Sequence, residues 1–176
     1  PPAVPFTPWN SWWPWRAAWA ACPGNPLSHT MNLGNEYVAI NGVRASEFLL
    51  NSYTAGYYGV PVAFLSGDAD LCAFARELIP EIVTVPVNRG VGGGVVSLHP
   101  AVAVERIRAG AEEAVKKADR CRVHMPDHFE SVIRFREHKL AYSKSFYPGA
   151  RLEDSKTISF DAEDWYEVLR FCHFVL

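Results

Sequence analysis

The 176-residue sequence has little excess charge of either sign. Seventeen basic residues stand against nineteen acidic ones, which leaves a formal net charge of −2. Proteins that bind a polyphosphate chain concentrate lysine and arginine on one surface, and this sequence contains no long basic run. The composition therefore argues against nucleic acid as a partner.

Long apolar runs are also lacking. No uninterrupted stretch approaches the roughly 20 residues of a membrane-spanning helix, and no basic segment precedes an apolar core of secretory type. We therefore expect no membrane partner and no export. The four cysteines lie far apart, and Cys72 and Cys172 fall within apolar helical patterns, where a free cysteine behaves as a small hydrophobe. Reduced thiols favour a cytoplasmic location.

Residues 1–22 differ sharply in composition from the rest. They contain five of the six tryptophans, five prolines, a single charged residue, Arg16, and no acid. Prolines remove amide donors and fix φ, which argues against regular structure. An interfacial membrane anchor is the alternative, but such anchors usually carry a basic face, and this segment has a single arginine. We predict an irregular Trp/Pro-rich arm that is not native to the domain, and a chain that starts partway through a larger domain.

Residues 23–120 show strand and helix patterns in alternation, which predicts an α/β domain with right-handed crossovers. We expect a three-layer, mostly parallel sheet with flanking helices. Ser46 is the predicted N-cap of the first helix, and Asp68 that of the second. Pro100 opens a third helix, for which Val104, Ile107 and Val115 belong to the predicted buried stripe. The predicted strands cover residues 36–40, 60–65 and 82–87.

A glycine-rich segment, residues 90–94, follows the third of these strands. It has neither the GxxxxGK[ST] order of a phosphate-binding loop nor a complete GxGxxG pattern. A nucleotide site is therefore disfavoured. The segment is expected either to let the backbone approach a substrate closely or simply to turn the chain.

Residues 121–176 predict a smaller C-terminal α+β unit. Apolar and polar residues alternate over 129–136, which is typical of a strand with one exposed face. A second strand is predicted at 157–160, and Asp161 is the predicted cap of a last helix. The spacing Cys121-x2-His124-x3-His128 resembles that of metal ligands, but three isolated candidates of this kind usually arise by chance.

Two side chains are the best candidates for a hydrolytic site. His29 lies in a segment that follows Pro26, and Glu47 lies in the first turn of the predicted first helix. The helix dipole favours an ionised carboxylate at that position, and an imidazole can transfer protons at neutral pH. The plainer alternative is that Glu47 only stabilises its own helix.

Several segments together resemble the M55 metallopeptidases, a family of D-aminopeptidases. The matching segments are GNPLSHTMN (24–32), INGVRASEFLLN (40–51), AGYYGVPVAFLSGD (55–68), SLHP (97–100) and FYPGARL (146–152). The resemblance covers about residues 24–176. It implies a zinc-dependent aminopeptidase that releases D-amino acids from the N-termini of short peptides, and that assembles as a ring-like homo-oligomer.

The resemblance also implies roles for the two candidate residues. The histidine of the SHT motif, proposed as nucleophile or base in the family, corresponds to His29, and a family zinc ligand corresponds to Glu47. The family's other four zinc ligands come from upstream segments. Here no histidine precedes His29, and no Asp or Glu precedes Glu36.

A catalytic zinc site normally uses three protein ligands. We therefore expect this chain to be weakly active or inactive. The alternative is a non-catalytic module of the same fold that binds peptides or promotes oligomer assembly.

Overall fold

The computed structural model describes residues 29–176. In this part of the chain, strands and helices alternate over most of the length, as the hydrophobic patterns predict. The elements are β1 (Asn35–Ile40), β2 (Val43–Arg44), α1 (Glu47–Tyr57), β3 (Phe64–Asp68), α2 (Ala69–Leu78), β4 (Val83–Val91), β5 (Gly94–Ser97), α3 (Pro100–Lys116), β6 (Phe129–Phe135), α4 (His138–Lys144), β7 (Arg151–Leu152), β8 (Thr157–Ala162) and α5 (Trp165–Val175), with a short 3-10 turn at Ala118–Arg120. The predicted arm, residues 1–22, lies outside the described residues.

The described strands form two sheets. The larger has the order β2-β1-β6-β8-β7, and all of its neighbours are antiparallel. The smaller has the order β3-β4-β5, in which β3 and β4 are parallel and β5 is antiparallel to β4. The α/β class is confirmed, but the mostly parallel sheet is not what the described strands form. Hydrophobic patterns identify strands without identifying their partners, which is why the prediction failed there.

The larger sheet joins strands that are distant in sequence. Val38 of β1 lies opposite Ile133 of β6, and β6 in turn pairs with β8. The predicted division between 23–120 and 121–176 therefore separates two strands that are hydrogen-bonded to each other. That division stays a sequence-based proposal.

The connection from β1 to α1 follows the sequence prediction closely. Asn41 and Gly42 both have positive φ, 50° and 75°, as a tight turn of this kind requires. The Asn41 side chain also accepts a hydrogen bond from the amide of Glu130 at 2.7 Å, which fixes the turn against β6. Ser46 caps α1 by accepting from the amide of Leu49 at 3.3 Å. Glu47 is thus held in the first helical turn.

Aromatic side chains fill the core between the larger sheet and helices α1 and α5. Trp165 is buried, with ring centroids 5.2 Å from Tyr53 and 5.0 Å from Phe129. Phe160 of β8 stacks on Phe171 of α5 at 4.6 Å. Such contacts add about 0.5–1.5 kcal/mol each beyond the burial of apolar area. This core anchors the helix that carries Glu47.

The glycine-rich segment forms a hairpin turn. Strand β4 continues to Val91 and β5 begins at Gly94, and Val91 pairs directly with Gly94. Gly92 has φ 53°, a conformation that glycine adopts at little cost. The turn interpretation is confirmed, and β5 is a strand that the sequence patterns missed.

Two predicted details of the helices are wrong. In α3, Val104 and Val115 are 58% and 79% exposed, whereas Gly110 and Ala114 are the buried residues. The helix lies so close to the smaller sheet that small residues, not valines, face it. In α5, the N-cap is Asp164, which accepts from the amide of Tyr166, and Asp161 belongs to β8.

Candidate functional site

The segment that carries His29 is attached to the start of α1. Thr30 is 1% exposed, although its neighbours His29 and Met31 are exposed. Its hydroxyl donates a hydrogen bond to the carbonyl oxygen of Ala45 at 2.8 Å. Ala45 immediately precedes the N-cap of α1, so this bond fixes the segment at the helix terminus.

Glu47 makes the second attachment. Its Oε1 accepts a hydrogen bond from the Met31 amide at 3.0 Å. Met31 has φ 64°, a left-handed conformation that costs a non-glycine residue about 1–2 kcal/mol. Such a conformation persists when the surrounding contacts determine it. The structure therefore places the segment of His29 directly against the side chain of Glu47.

Two asparagines complete the support of this segment. The Asn32 Oδ1 accepts from the Gly34 amide at 2.7 Å, which closes a turn of the kind that asparagine favours. The Asn35 side chain is buried and donates to the carbonyl oxygen of Thr30 at 3.0 Å. Strand β1, which begins at Asn35, thereby holds the segment from one side while α1 holds it from the other.

The geometry brings the backbone of His29 near the carboxylate of Glu47, because the Met31 amide donates to that carboxylate. His29 is two residues from Met31, and two trans peptide units span at most roughly 7 Å between Cα atoms. The imidazole of His29 is exposed and Glu47 is half-buried. A neutral imidazole can accept a proton from a reacting group, and the carboxylate can orient a donor or bind a cation. The arrangement suits proton transfer at an open surface.

The donor set does not fit a complete zinc site. Among residues 29–176, no cluster of three or more His, Cys, Asp or Glu side chains could hold a metal ion. In residues 1–28 the sequence contributes only Cys22 of these four types. Any set of three such ligands within this chain would therefore have to include Cys22. Glu47, moreover, already uses one carboxylate oxygen to accept from the Met31 amide.

The three residues with ligand-like spacing in the C-terminal part do not converge. Cys121 is fully buried, and its thiol donates to the carbonyl oxygen of Glu81 at 3.3 Å. His128 lies at the surface, with Nε2 3.1 Å from Oδ1 of Asp161. His124 is exposed. Their spacing reflects an irregular connection between the 3-10 turn and β6.

The described cysteines are poor candidates for nucleophiles. Cys72, Cys121 and Cys172 are free and buried. Burial raises the pKa of the Cys172 thiol to about 12, and it also raises the pKa of Cys121 and of Cys72. Only the thiolate attacks a carbonyl, so at neutral pH these side chains are inert and serve the core.

Sequence reasoning missed Thr30 and Asn35. Both side chains are polar, and Thr30 is adjacent to the exposed His29, so neither residue type predicts burial here. One signal was available: Asn32, Gly34 and Asn35 form a cluster of turn-forming residues between His29 and β1. That cluster predicts a tightly bonded connection, although not the partner of each hydrogen bond.

No helix among residues 29–176 has the length and apolar character required to cross a lipid bilayer.

Comparison with known proteins gives one consistent result. The sequence model of the M55 peptidase family, described as D-aminopeptidase, matches residues 18–174. This match begins inside the Trp/Pro-rich segment. A curated relative, the D-aminopeptidase of Bacillus subtilis (strain 168), is 32% identical over 151 residues, which cover 84% of this chain and 55% of the relative.

A solved structure agrees with the sequence comparison. It is described as the Zn-dependent D-aminopeptidase DppA from Bacillus subtilis, a self-compartmentalizing protease. The match has a TM-score of 0.76 and 29% sequence identity, and it covers 84% of this chain and 55% of that one. The chain thus spans about half the length of the relatives it matches.

Proposed function

The chain belongs to the M55 family of D-aminopeptidases, a family of peptide hydrolases, and we propose that its own activity is the release of N-terminal D-amino acids from short peptides. Zinc is the cofactor implied by the similarity to a Zn-dependent enzyme. Because the chain spans about half of its relatives, the activity of the whole protein is part of this proposal. We propose that this chain by itself is weakly active or inactive.

One observation carries the proposal. The Met31 amide donates to Oε1 of Glu47 at 3.0 Å, which joins the segment of His29 to the carboxylate at the start of α1. The bonded residues, Met31 and Glu47, are 16 positions apart in sequence, and His29 lies two residues before Met31. This supports the roles that the family resemblance implies, with His29 as the catalytic residue and Glu47 as a metal ligand.

The chemistry assigned to this chain's own residues is limited. In one role, a ring nitrogen of His29 accepts a proton from the attacking water and returns it to the leaving amine as the peptide C–N bond breaks. In the other, that nitrogen bonds to the scissile carbonyl carbon, the C–N bond breaks, the amine leaves with a proton from water, and water then hydrolyses the acyl-imidazole. A histidine is suited to either role near neutral pH. Glu47 holds the segment of His29 in place. Zinc would polarise the scissile carbonyl, but the side chains of residues 29–176 do not provide the three ligands it needs.

Three further properties belong to the proposal. The cellular location is the cytoplasm, which is supported by the free, buried cysteines of the described region. The assembly is a ring-like homo-oligomer, which is supported by the self-compartmentalizing relative. The arrangement is three-layered, which is supported by the contacts of α2 and α3 with opposite faces of β4: Arg76 bonds to Thr84, and Gly110 lies against Val85. The division into residues 23–120 and 121–176 is proposed from the sequence patterns alone.

The alternative is a non-catalytic module that binds peptides or promotes oligomer assembly. It is favoured by the lack of a three-ligand cluster in the described region and by exposed aromatic side chains. Phe146 and Phe174 are 71% and 60% exposed, and exposed apolar side chains of this kind often mark interaction surfaces when they cluster.

The decisive experiment measures zinc content and hydrolysis together. The purified chain is incubated with zinc and D-Ala-D-Ala, and the release of D-alanine is compared between wild type, His29→Ala and Glu47→Gln. The matched control is His124→Ala, which removes an exposed histidine elsewhere. A rate that is low but is lost only in the first two variants supports the assigned roles.

Other outcomes separate the alternatives. Stoichiometric zinc with rapid turnover would overturn the proposed weak activity. If no rate depends on His29 while size-exclusion chromatography with light scattering shows an intact oligomer in every variant, the binding or assembly function is favoured instead.

A further inference from the structure

Thr30 is buried at a position where its polar side chain and its exposed neighbours would predict exposure. It lies between two exposed residues, yet it is almost completely buried. Burying a hydroxyl costs free energy unless the hydroxyl is hydrogen-bonded. Here the hydroxyl donates to the Ala45 carbonyl oxygen at 2.8 Å. This hydrogen bond offsets the cost of burial and attaches Thr30 to the residue just before the N-cap of α1.

The backbone of Thr30 is held as firmly as its side chain. Its carbonyl oxygen accepts from the Asn35 side chain at 3.0 Å and from the Asn32 amide at 2.7 Å. The residue is thus fixed on three sides, by α1, by β1 and by the turn at Asn32. Because Thr30 is fixed in this way, it restricts the positions of its two neighbours, His29 and Met31.

On one side of Thr30 lies His29, and on the other lies Met31, whose amide donates to Glu47. The left-handed φ of Met31 aims that amide at the carboxylate. If Thr30 were released from Ala45, nothing on its side chain would oppose relaxation of Met31, and the hydrogen bond to Glu47 would weaken. The relative positions of His29 and Glu47 therefore depend on a residue that contains neither functional group.

We propose that Thr30 is a positioning residue, whose hydroxyl fixes the His29 segment to the start of α1 and so holds His29 beside Glu47. The catalytic consequence of this positioning rests on the proposed function. The attachment of the segment to Glu47 can be measured in a protein that shows no hydrolysis. Thr30→Val removes the hydroxyl at nearly constant shape, and Thr30→Ser keeps it.

The first test is hydrogen exchange of the Met31 amide, measured by NMR on the full chain. Thr30→Val is expected to speed this exchange at least roughly 10-fold relative to wild type, since one net hydrogen bond is lost from a local opening. Thr30→Ser is expected to restore slow exchange. The matched control is Thr54→Val, because Thr54 also donates to a backbone carbonyl, that of Leu50 at 2.8 Å, but far from this segment in sequence.

The control distinguishes positioning from general stability. Thr54→Val should lower the unfolding temperature without a selective effect on Met31. If Thr30→Val leaves the exchange of Met31 within about twofold of wild type, or changes it only in proportion to global stability as Thr54→Val does, the proposal is overturned. Should Thr30→Val fail to fold, Asn35→Ala removes the bond to the Thr30 carbonyl instead, and the same selective increase is expected.

The second test applies where D-alanine release is measurable. Thr30→Val is expected to lower kcat roughly 10-fold or more, since small misplacements of a catalytic group have effects of this size, and to leave KM within about twofold. A raised KM with unchanged kcat would contradict the proposal. If wild type shows no hydrolysis, the result agrees with the proposed inactivity of this chain, and the exchange of the Met31 amide decides by itself whether Thr30 fixes the segment.

Discussion

The two sheets of this molecule differ in how completely their side chains are buried. In the five-stranded sheet, Val38, Ile133 and Ile158 are fully enclosed between strands and helices. In the three-stranded sheet, every residue of β5 is exposed, and Asp68 alone is buried in β3. The larger sheet therefore has a complete core within the described residues, whereas the smaller one presents apolar side chains at its surface.

Most of the free energy of folding of the described residues comes from the half that contains the larger sheet. Burial of apolar surface contributes about 25 cal/mol per Å², so the enclosed half dominates. The exposed half carries valines at two positions that the amphipathic pattern of α3 assigns to a core, Val104 and Val115, and another exposed valine, Val95, in β5. Single exposed apolar residues are ordinary at a protein surface, whereas a contiguous patch of them marks a surface that another part of a protein covers.

The largest effect is expected in the enclosed half. Trp165→Ala removes a buried indole that contacts Tyr53 and Phe129 and whose Nε1 donates to Thr54 at 3.1 Å. We expect a loss of about 3–5 kcal/mol in the free energy of unfolding, measured by urea denaturation. The matched control is Tyr166→Ala at the next, exposed position. Equal losses in both variants would contradict the inference that burial in the core beside the larger sheet provides most of the stability.

A smaller effect is expected where α3 meets the smaller sheet. A Cβ at Gly110 would lie 2.8 Å from Cγ2 of Val85 and 2.9 Å from Cε2 of Phe64. Alanine favours a helix over glycine by about 1 kcal/mol, but overpacking costs about 1–3 kcal/mol. We therefore expect Gly110→Ala to destabilise the chain, measured by thermal unfolding. A stabilised variant would show that Val85 and Phe64 move aside without cost, and hence that the smaller sheet is packed less tightly than the larger one.

The contribution of Asp161, in β8, to the free energy of unfolding should decrease in acid. The hydrogen bond from Arg151, and then that from His128, lowers the pKa of Asp161 below its ordinary value. A carboxyl with a lowered pKa in the folded state contributes stability above its unfolded pKa, and this contribution is lost as the pH falls through the folded value.

Asp161→Asn should therefore destabilise the chain at pH 7, and the difference from wild type should shrink below about pH 4. Urea denaturation at pH 7, 4 and 3 measures it, and a small effect is expected because the ion pairs are partly exposed. A difference that stays constant over this range would show that the charge of Asp161 has no part in the effect.

The smallest effect is expected at the exposed face of α3. Val115→Lys replaces an apolar side chain that is 79% exposed, so the free energy of unfolding should change by less than about 0.5 kcal/mol. Ala114→Lys at the adjacent buried position is the control, and it should be strongly destabilising. If Val115→Lys destabilises as much as Ala114→Lys, α3 packs with a different face inward, and the contrast between the two halves disappears.

Much of the local structure follows from short stretches of sequence. The Asn41-Gly42 turn, the Ser46 cap of α1, the Asp68 cap of α2 and the start of α3 at Pro100 all lie where the residues predict. These features depend on φ preferences and on hydrogen bonds between residues at most a few positions apart. Asp161 was a misplaced cap because Asp164, three residues later, offers the same chemistry.

The two candidate residues, His29 and Glu47, could likewise be chosen from sequence, because imidazole and carboxylate groups carry hydrolytic chemistry and because the surrounding motifs resemble a known family. The supporting residues could not be chosen in this way. Thr30 bonds to a residue 15 positions away and Asn35 holds its carbonyl, and no local preference encodes such partners.

Local sequence is enough to predict the α/β class, the starts of α1, α2 and α3, and the two side chains that can carry hydrolytic chemistry, since each depends on neighbouring residues. Three features follow from the tertiary structure alone. Strand β6 pairs with β1, α3 packs against the smaller sheet through Gly110, and the buried Thr30 attaches the segment of His29 to the start of α1. Those outcomes depend on contacts between distant segments, whose energies are set by packing and desolvation in the folded chain.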